Sequence, residues 1–398
     1  MTECTSLDAQ PNASAFKRWL SVISLAFGTF VLINTEFLPI GLLTPIAHSL
    51  NVSEGRAGLA VMLPGLAAAA SAILLLLFSR QLNRRTLLLF LSAMVILSNA
   101  AAMLAPSFGV LLIGRIILGV AVGGFWSFAI PAGRRLVAEE QGARATSLIS
   151  AGVAVGTVAG VPAGAFIGEL FGWRMAFTLN TALAVGVFLL QWATLPSLPA
   201  KQSIKVSTMF SVAKIAGVRY GLIIALFMAA AQFSAYTYLE PWLRFQVGLS
   251  ASNLSLLLMA YGIAGLVGTF LTEVMVKGVG VKHTLLACLL IMGVAVVGAS
   301  QLSDSTLTAS ILIVLWGLAF GALPICLNIW VYQAAPEQFE TGSSLIVFIF
   351  QISLASGAFF GGVLADSIGT SSAFMLGGIL ALLASVIVLF TRPRPAVR

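Results

Sequence analysis

Two full charges, Glu36 and Arg115, stand well inside apolar stretches of this 398-residue chain. On insertion scales such a group costs at least about 2.5 kcal/mol at the centre of a membrane helix, so each needs a partner or a water-filled cavity. A carboxyl in that setting can take up and release a proton when its hydration, or its distance from a guanidinium, changes between two conformations. The competing reading is a buried ion pair that only fixes helix packing. Apolar residues could replace such a pair at little cost, which favours proton handling by Glu36 with Arg115 as its partner. Pro39 follows three residues on, leaves the Thr35 carbonyl without its usual donor, and predicts a kink beside the carboxyl.

Other groups could line a cavity. Gln232, Tyr236 and Glu240 are spaced four apart on one helical face that ends at Pro241, and Asn328 and Tyr332 are spaced likewise. Asn34 shares the Glu36 stretch, and Trp126 follows Gly123, Gly124 and Phe125 in the stretch that holds Arg115. Such amides, phenols and carboxylates suit hydroxylated or amide-bearing ligands, and an indole suits a planar one. Helix-to-helix bonding and ring packing use the same groups equally well. Metal chemistry has no support: His48, His283 and the odd set Cys4, Cys288 and Cys326 show no ligand spacing. No phosphate-binding Gly-x-x-x-x-Gly-Lys-Ser/Thr loop and no channel filter is visible, which argues against an ATP-driven pump, a membrane enzyme and a channel. The expectation is a non-enzyme without cofactor, using protons as its coupling ion.

The elements that must hold these groups follow from composition. Apolar residues make up 59% and charged ones only 9% of the chain, whereas soluble domains are about a quarter charged. The apolar runs are continuous and rich in Leu, Ala and Gly, which predicts membrane helices rather than the short alternating strands of a barrel. Runs near 19–46, 57–78, 86–104, 108–130, 145–168 and 175–194 form one set, and 217–240, 251–275, 284–302, 307–333, 342–365 and 371–391 a second. Each is near or above the roughly 20 residues a bilayer crossing needs. The first run is too long for the core of a cleavable signal peptide and is expected to remain as a span.

Basic residues orient the spans. Of the 21 lysines and arginines, only Arg56, Arg115, Arg174 and Arg244 lie away from the termini and the loops on their side. The positive-inside rule therefore predicts both termini in the cytoplasm, with the protein in the cytoplasmic (inner) membrane. Topology and anionic lipid account for the net charge of +8 without nucleic acid. The expected partners are the lipid bilayer and a small-molecule substrate, with the chain a monomer. At 1.5 Å per residue, Glu36 lies about 16 Å and Arg115 about 10 Å below the same surface, close enough for a direct or water-bridged pair.

An internal repeat organises the spans. Ser53 and Ser250 are 197 residues apart, and the same offset matches Gly65 to Gly262, Leu148 to Leu345, Gly164 to Gly361, Gly172 to Gly369 and Phe177 to Phe374. The prediction is an all-α membrane protein of twelve transmembrane helices in two pseudo-symmetric six-helix bundles, 1–194 and 217–398, joined by a cytoplasmic linker over 195–216. Gly152, Gly156, Gly160, Gly164 and Gly168 form a stripe of small residues, repeated at Ser353, Gly357, Gly361, Ala365 and Gly369. Stripes of this kind let helix backbones approach closely; two equivalent ones favour a sliding or rocking contact, and Pro162 should bend the first helix.

These residues resemble the major facilitator superfamily, and within it the twelve-span drug:proton antiporters that include bacterial sugar and purine ribonucleoside efflux proteins. Thr35-Glu36-Phe37-Leu38-Pro39 looks like the first-helix signature of that group. Leu111 through Arg115 to Gly119 resembles its fourth-helix motif, whose arginine is implicated in proton transfer. Gly156 to Gly164 resembles the fifth-helix antiporter motif, with Gly160-Val161-Pro162 in place of a Gly-Pro pair. In the loop between the second and third spans, Arg84 and Arg85 match the family's basic pair and its cytoplasmic gate. Arg80, Gln81 and Asn83 stand where the family has Asp, Arg and Gly. Gly123-Gly124-Phe125-Trp126 and Ser53-Glu54-Gly55 look most like the purine ribonucleoside exporters, and Tyr238-Leu239-Glu240-Pro241 like the sugar exporters. The resemblance implies proton-coupled export of a small polar or amphipathic solute by alternating access. A broad multidrug exporter or a proton symporter would use the same fold.

Overall fold

The computed structural model describes residues 15–78, 82–199, 206–302 and 305–391. Cys4, Arg80, Gln81, Lys201, Lys205, Arg392, Arg394 and Arg398 lie outside these residues. Helices fill the described chain, and no strand occurs among the described residues. Helix α1 (Ala15–Phe37) continues through a 3₁₀ turn, Leu38–Leu42, into Leu43–Ser49. A short helix, Glu54–Ala57, leads into α2 (Leu59–Phe78), followed by α3 (Arg84–Met103), α4 (Phe108–Arg135), α5 (Gly142–Phe171) and α6 (Trp173–Thr194). In the second half, α7 (Ala216–Tyr236) continues as Leu239–Phe245. A single helical run, Ala251–Gln301, contains α8 and α9, and α10 (Thr306–Ala334), α11 (Phe339–Ser367) and α12 (Thr370–Phe390) complete the bundle.

The Ala251–Gln301 run has 51 residues. At 1.5 Å per residue it would stretch roughly 75 Å, more than twice the hydrocarbon thickness of a bilayer. Gly280 divides it with φ 83° and ψ 159°, a conformation open to a residue without Cβ, so α8 covers 251–279 and α9 281–301. The connection expected over 276–283 is thus helical on both sides of one glycine. Among the described residues eleven runs are long and apolar enough to cross a membrane, and the division at Gly280 makes twelve spans. Large apolar side chains such as Phe90, Leu97, Phe270 and Phe390 stand exposed, as a lipid-facing surface requires.

The segment between the halves is not a uniform polar linker. Leu195 and Leu198 are buried, the Arg84 backbone N–H donates to the Leu198 carbonyl at 2.8 Å, and a helix forms over Val206–Lys214. The repeat is visible in the backbone. Ser53 and Ser250 are both extended residues that open helices, Gly172 and Gly369 both carry positive φ between consecutive helices, and Phe177 and Phe374 are both fully buried. Within the first half α1 packs on α5, α2 on α4 and α3 on α6; α7 on α11, α8 on α10 and α9 on α12 repeat the pattern.

The halves meet along α2–α11 and α5–α8. The glycine stripes lie elsewhere, against expectation. Gly152, Gly156, Gly160 and Gly164 meet Ala26, Phe30, Asn34 and Leu38 of α1, while Gly357 and Gly361 meet Ala230 and Ser234 of α7. Each stripe is a close-packed seam inside its own half rather than a sliding contact, because the i, i+4 face drifts too little to turn toward another helix. Pro162 lies buried within α5.

Candidate functional site

The break in α1 sets the site. Pro39 has no N–H to give the Thr35 carbonyl, and the chain tightens into the 3₁₀ turn Leu38–Leu42. Arg115, fully buried on α4, spans the gap. Its Nη1 donates to the Thr35 carbonyl at 2.7 Å, Nη2 to the Glu36 carbonyl at 2.6 Å and Nε to the Ala60 carbonyl of α2 at 2.6 Å. Of the direct or water-bridged pair expected with Glu36, the direct bond is not made; the guanidinium makes three bonds to backbone instead. The physical reason is that carbonyls stripped of their helical donors are as needful of N–H groups as a carboxylate, and the planar fork reaches them together.

A polar network fixes the same turn from the opposite side. The Thr35 hydroxyl accepts from Asn180 Nδ2 of α6 at 2.6 Å and from Asn99 Nδ2 of α3 at 3.0 Å, and donates to the Val31 carbonyl at 2.7 Å. Asn180 Nδ2 also donates to Asn99 Oδ1 at 3.1 Å, and Asn34 Nδ2 donates to Asn180 Oδ1 at 2.9 Å. Asn34 is thus part of the network, and its own Oδ1 is buried without a donor.

The Glu36 carboxyl is 3% exposed and sits at the boundary between the halves. It accepts from Gln351 Nε2 of α11 at 3.4 Å. Beside it, Phe37 stacks on Phe233 of α7 with ring centroids 5.8 Å apart, and Phe233 meets Phe350 of α11 edge-on at 5.7 Å. A recess lined by Thr29, Leu32, Ile33, Phe125, Trp126 and Val153 lies toward the end of the bundle where the described residues begin at Ala15 and stop at Thr391, the terminal end. Leu32 and Ile33 precede Glu36 by four and three residues, so the carboxyl and the recess share one face of α1.

Most of the other sequence candidates are engaged elsewhere. Gln232 donates to Tyr261 Oη at 2.7 Å and accepts from Trp316 Nε1 at 2.8 Å, and Tyr236 stacks on Tyr261 at 5.0 Å, forming an aromatic cluster within the second half. Asn328 accepts from the Ser343 hydroxyl at 2.6 Å, a helix-to-helix bond. Tyr332, expected in a cavity wall with Asn328, is 55% exposed and lies edge-on to Phe339 at the terminal end. Arg84 lies over the Phe128 ring and Arg85 donates to the Trp192 carbonyl at 2.8 Å, contacts within the first half. Glu240 does not line a cavity either: it accepts from the Thr44 backbone N–H at 2.9 Å and pairs with Arg244 at 2.8 Å.

That last contact belongs to a closure at the distal end, opposite Ala15 and Thr391. Asp366 at the end of α11 accepts from the Ser53 hydroxyl at 2.6 Å and the Gly55 N–H at 2.8 Å, and Arg244 reaches Glu169 at the end of α5 at 3.3 Å. Asp366 and Glu169 are repeat equivalents, so both seams between the halves are tied by the same acidic position. Sequence reading missed Gln351, Asn99, Asn180, Tyr261, Trp316 and Asp366. Each stands as a polar or large aromatic residue in or beside an apolar run, but nothing linear says which of them converge.

The comparisons with known proteins agree with this architecture. A sequence model of the Major Facilitator Superfamily matches residues 25–239 and again 222–398, one match for each half. The chain is 34% identical over 391 residues to the purine ribonucleoside efflux pump NepI of Escherichia coli O6:K15:H31, covering 98% of both chains. It is also 34% identical over 387 residues to the transcription regulatory protein OpdE of Pseudomonas aeruginosa, covering 96% of both. Crystal structures of a bacterial homologue of the human lysosomal transporter Spinster, in inward-facing unoccupied and occupied conformations, superimpose with TM-scores of 0.74 and 0.76 at 18% identity over 95% of this chain and 96% and 97% of theirs. With two matched halves and full-length relatives, this chain belongs to the major facilitator superfamily, a multi-pass helical membrane transporter.

Proposed function

We propose that this transporter is a proton-coupled antiporter that exports a small polar or amphipathic solute from the cytoplasm by alternating access. One observation carries the reading: a buried carboxyl, Glu36, stands at the boundary between the halves, bonded to Gln351 of the opposite half, while its nearest guanidinium is committed to backbone carbonyls. A buried carboxyl that makes no direct ion pair can exchange a proton when the halves part and water enters. In the proposed cycle, protons from outside load Glu36 when the distal end opens, and their release inside permits solute to bind again. The termini are read as cytoplasmic, in the inner membrane. The distal ties between the halves then support a pose closed on the outer side.

The solute class is read as sugar-like or purine nucleoside-like. The name of the NepI relative and the Trp126 ring in the recess support the nucleoside. The otherwise apolar lining, Leu32, Ile33, Phe125 and Val153, favours as a second reading a broader range of amphipathic drugs. The protein is read as a monomer that acts on a small molecule in the bilayer, without cofactor and without nucleic acid. The test is transport in vesicles with an imposed pH gradient, using labelled inosine and a lipophilic cation as probes. Gradient-driven movement of either, opposite to the proton gradient, is expected; flux indifferent to the gradient would refute proton coupling, and co-directional flux would indicate a symporter.

A further inference from the structure

We propose that Gln351 is the positioning residue that reads the protonation state of Glu36 and passes it to the second half, an inference that rests on the proton-coupling role proposed for Glu36. Gln351 reaches the Glu36 carboxyl from the other half, 3.4 Å away, and both side chains are buried. Its amide nitrogen donates to Glu36, while its own Oε1 is buried without any donor. An ionised carboxylate needs a donor; a protonated carboxyl is itself a donor and needs an acceptor. A primary amide serves both by turning over, so one side chain keeps a partner for Glu36 in either state and changes its own orientation between them.

The surroundings hold the amide to this task. Gly65 of α2 lies directly against the backbone carbonyl of Gln351, so α11 packs closely on α2 at the level of the amide. The Phe37–Phe233–Phe350 stack lies beside the contact with residues from α1, α7 and α11, leaving little room for water to substitute for the amide. Among the described residues the charged group next to Glu36 is Arg115 of α4, which donates to the Glu36 carbonyl. Phe233 of α7 stacks on the adjoining Phe37, and the Ala60 carbonyl of α2 accepts from the same guanidinium. Farther out, Glu54, Glu169, Glu240, Asp366 and Arg244 also stand near the boundary between the halves, so a pH response has to be assigned by mutation.

The experiment measures the distal opening directly, without a solute. Spin labels are placed on Phe171→Cys and Leu302→Cys, exposed positions at the distal ends of the two halves, in a Cys4→Ser background reconstituted in nanodiscs. The distance distribution is followed from pH 5 to pH 9. The expected result is an open-to-closed ratio that varies with pH in the parent, is flat in Glu36→Gln, and varies about tenfold less in Gln351→Met, as losing a hydrogen bond to a charged group implies. Gln351→Glu should move the midpoint about one unit or more to higher pH, because two adjacent carboxyls retain a shared proton, whereas a merely structural role would leave the pH response of Gln351→Met like the parent's. A Gln351→Met profile equal to the parent's, with Glu36→Gln flat, overturns the role of Gln351 and leaves Glu36 standing. A midpoint in Gln351→Glu within a few tenths of the parent's does the same if the apolar variant fails to fold. A parent that ignores pH, or a response that persists in Glu36→Gln, overturns both.

Discussion

The two halves share one helical framework and fill it with different chemistry. At the offset of 197 residues, Glu36 corresponds to Phe233, Thr35 to Gln232, Arg115 to Leu312 and Asn180 to Gly377. Both halves interrupt their first helix at the same level, α1 after Phe37 and α7 after Tyr236. In the first half a guanidinium bridges the interruption. In the second, Thr237 donates to the Phe233 carbonyl and Tyr238 to the Ala358 carbonyl, each at 2.6 Å, and the buried acid that follows, Glu240, is paired directly with Arg244. The difference teaches that the repeat supplies an interrupted first helix twice, while the proton response proposed for Glu36 has its residues in one half alone. Gln232, Tyr261 and Trp316 satisfy one another as neutral groups and have no reason to change state.

Removing the carboxyl should break this asymmetry most completely. Glu36→Gln, which leaves each half with a neutral group at the equivalent position, is expected to abolish gradient-driven transport in vesicles while leaving thermal unfolding near that of the parent. Arg115→Leu, which installs the residue found at its repeat position, should leave three buried carbonyls without donors and destabilise by at least about 3 kcal/mol. Thermal unfolding in detergent checks this, and Arg115→Lys should not rescue it, since an ammonium cannot reproduce the planar fork.

The neutral networks offer a finer comparison. Asn180→Ala deprives Thr35, Asn99 and Asn34 of partners, and Gln232→Leu strands the Tyr261 hydroxyl and the Trp316 N–H. Each should cost about 1–3 kcal/mol in the same assay, but only Asn180→Ala should also slow transport, because it loosens the turn that carries Glu36. The smallest effects are expected at the distal ties. Asp366→Ala should raise the distal-open population a few-fold in the spin-label measurement. Glu169→Ala should do less, because its bond to Arg244 is a partly exposed ion pair of the kind worth about 0–1 kcal/mol.

Much of this was legible along the chain. Continuous apolar runs marked the spans because lipid demands them, and the fixed offset marked the repeat because equivalent turns need equivalent residues, as Gly172 and Gly369 do. Glu36, Arg115 and Pro39 were legible for a related reason: a charge or a missing donor inside an apolar helix is costly enough to stand out. The Arg115 contacts were not. The proline argument identified the Thr35 carbonyl as orphaned, yet nothing in linear order says that a guanidinium 80 residues away fills it rather than meeting the carboxyl. The stripes show the same limit, since small residues four apart announce a close approach and leave the partner helix unnamed.

By itself, the sequence determined that the chain is a helical membrane protein built from two similar halves with one unusual acid in its first span. Those facts depend on side-chain solvation and on local periodicity, which each segment expresses alone. Only the tertiary structure decided that Arg115 serves the backbone, that Gln351 of the opposite half meets Glu36, and that Asp366 and Glu169 tie the two seams. Hydrogen bonds act over about 3 Å, so which polar groups meet depends on how the helices pack, and that packing joins residues hundreds of positions apart.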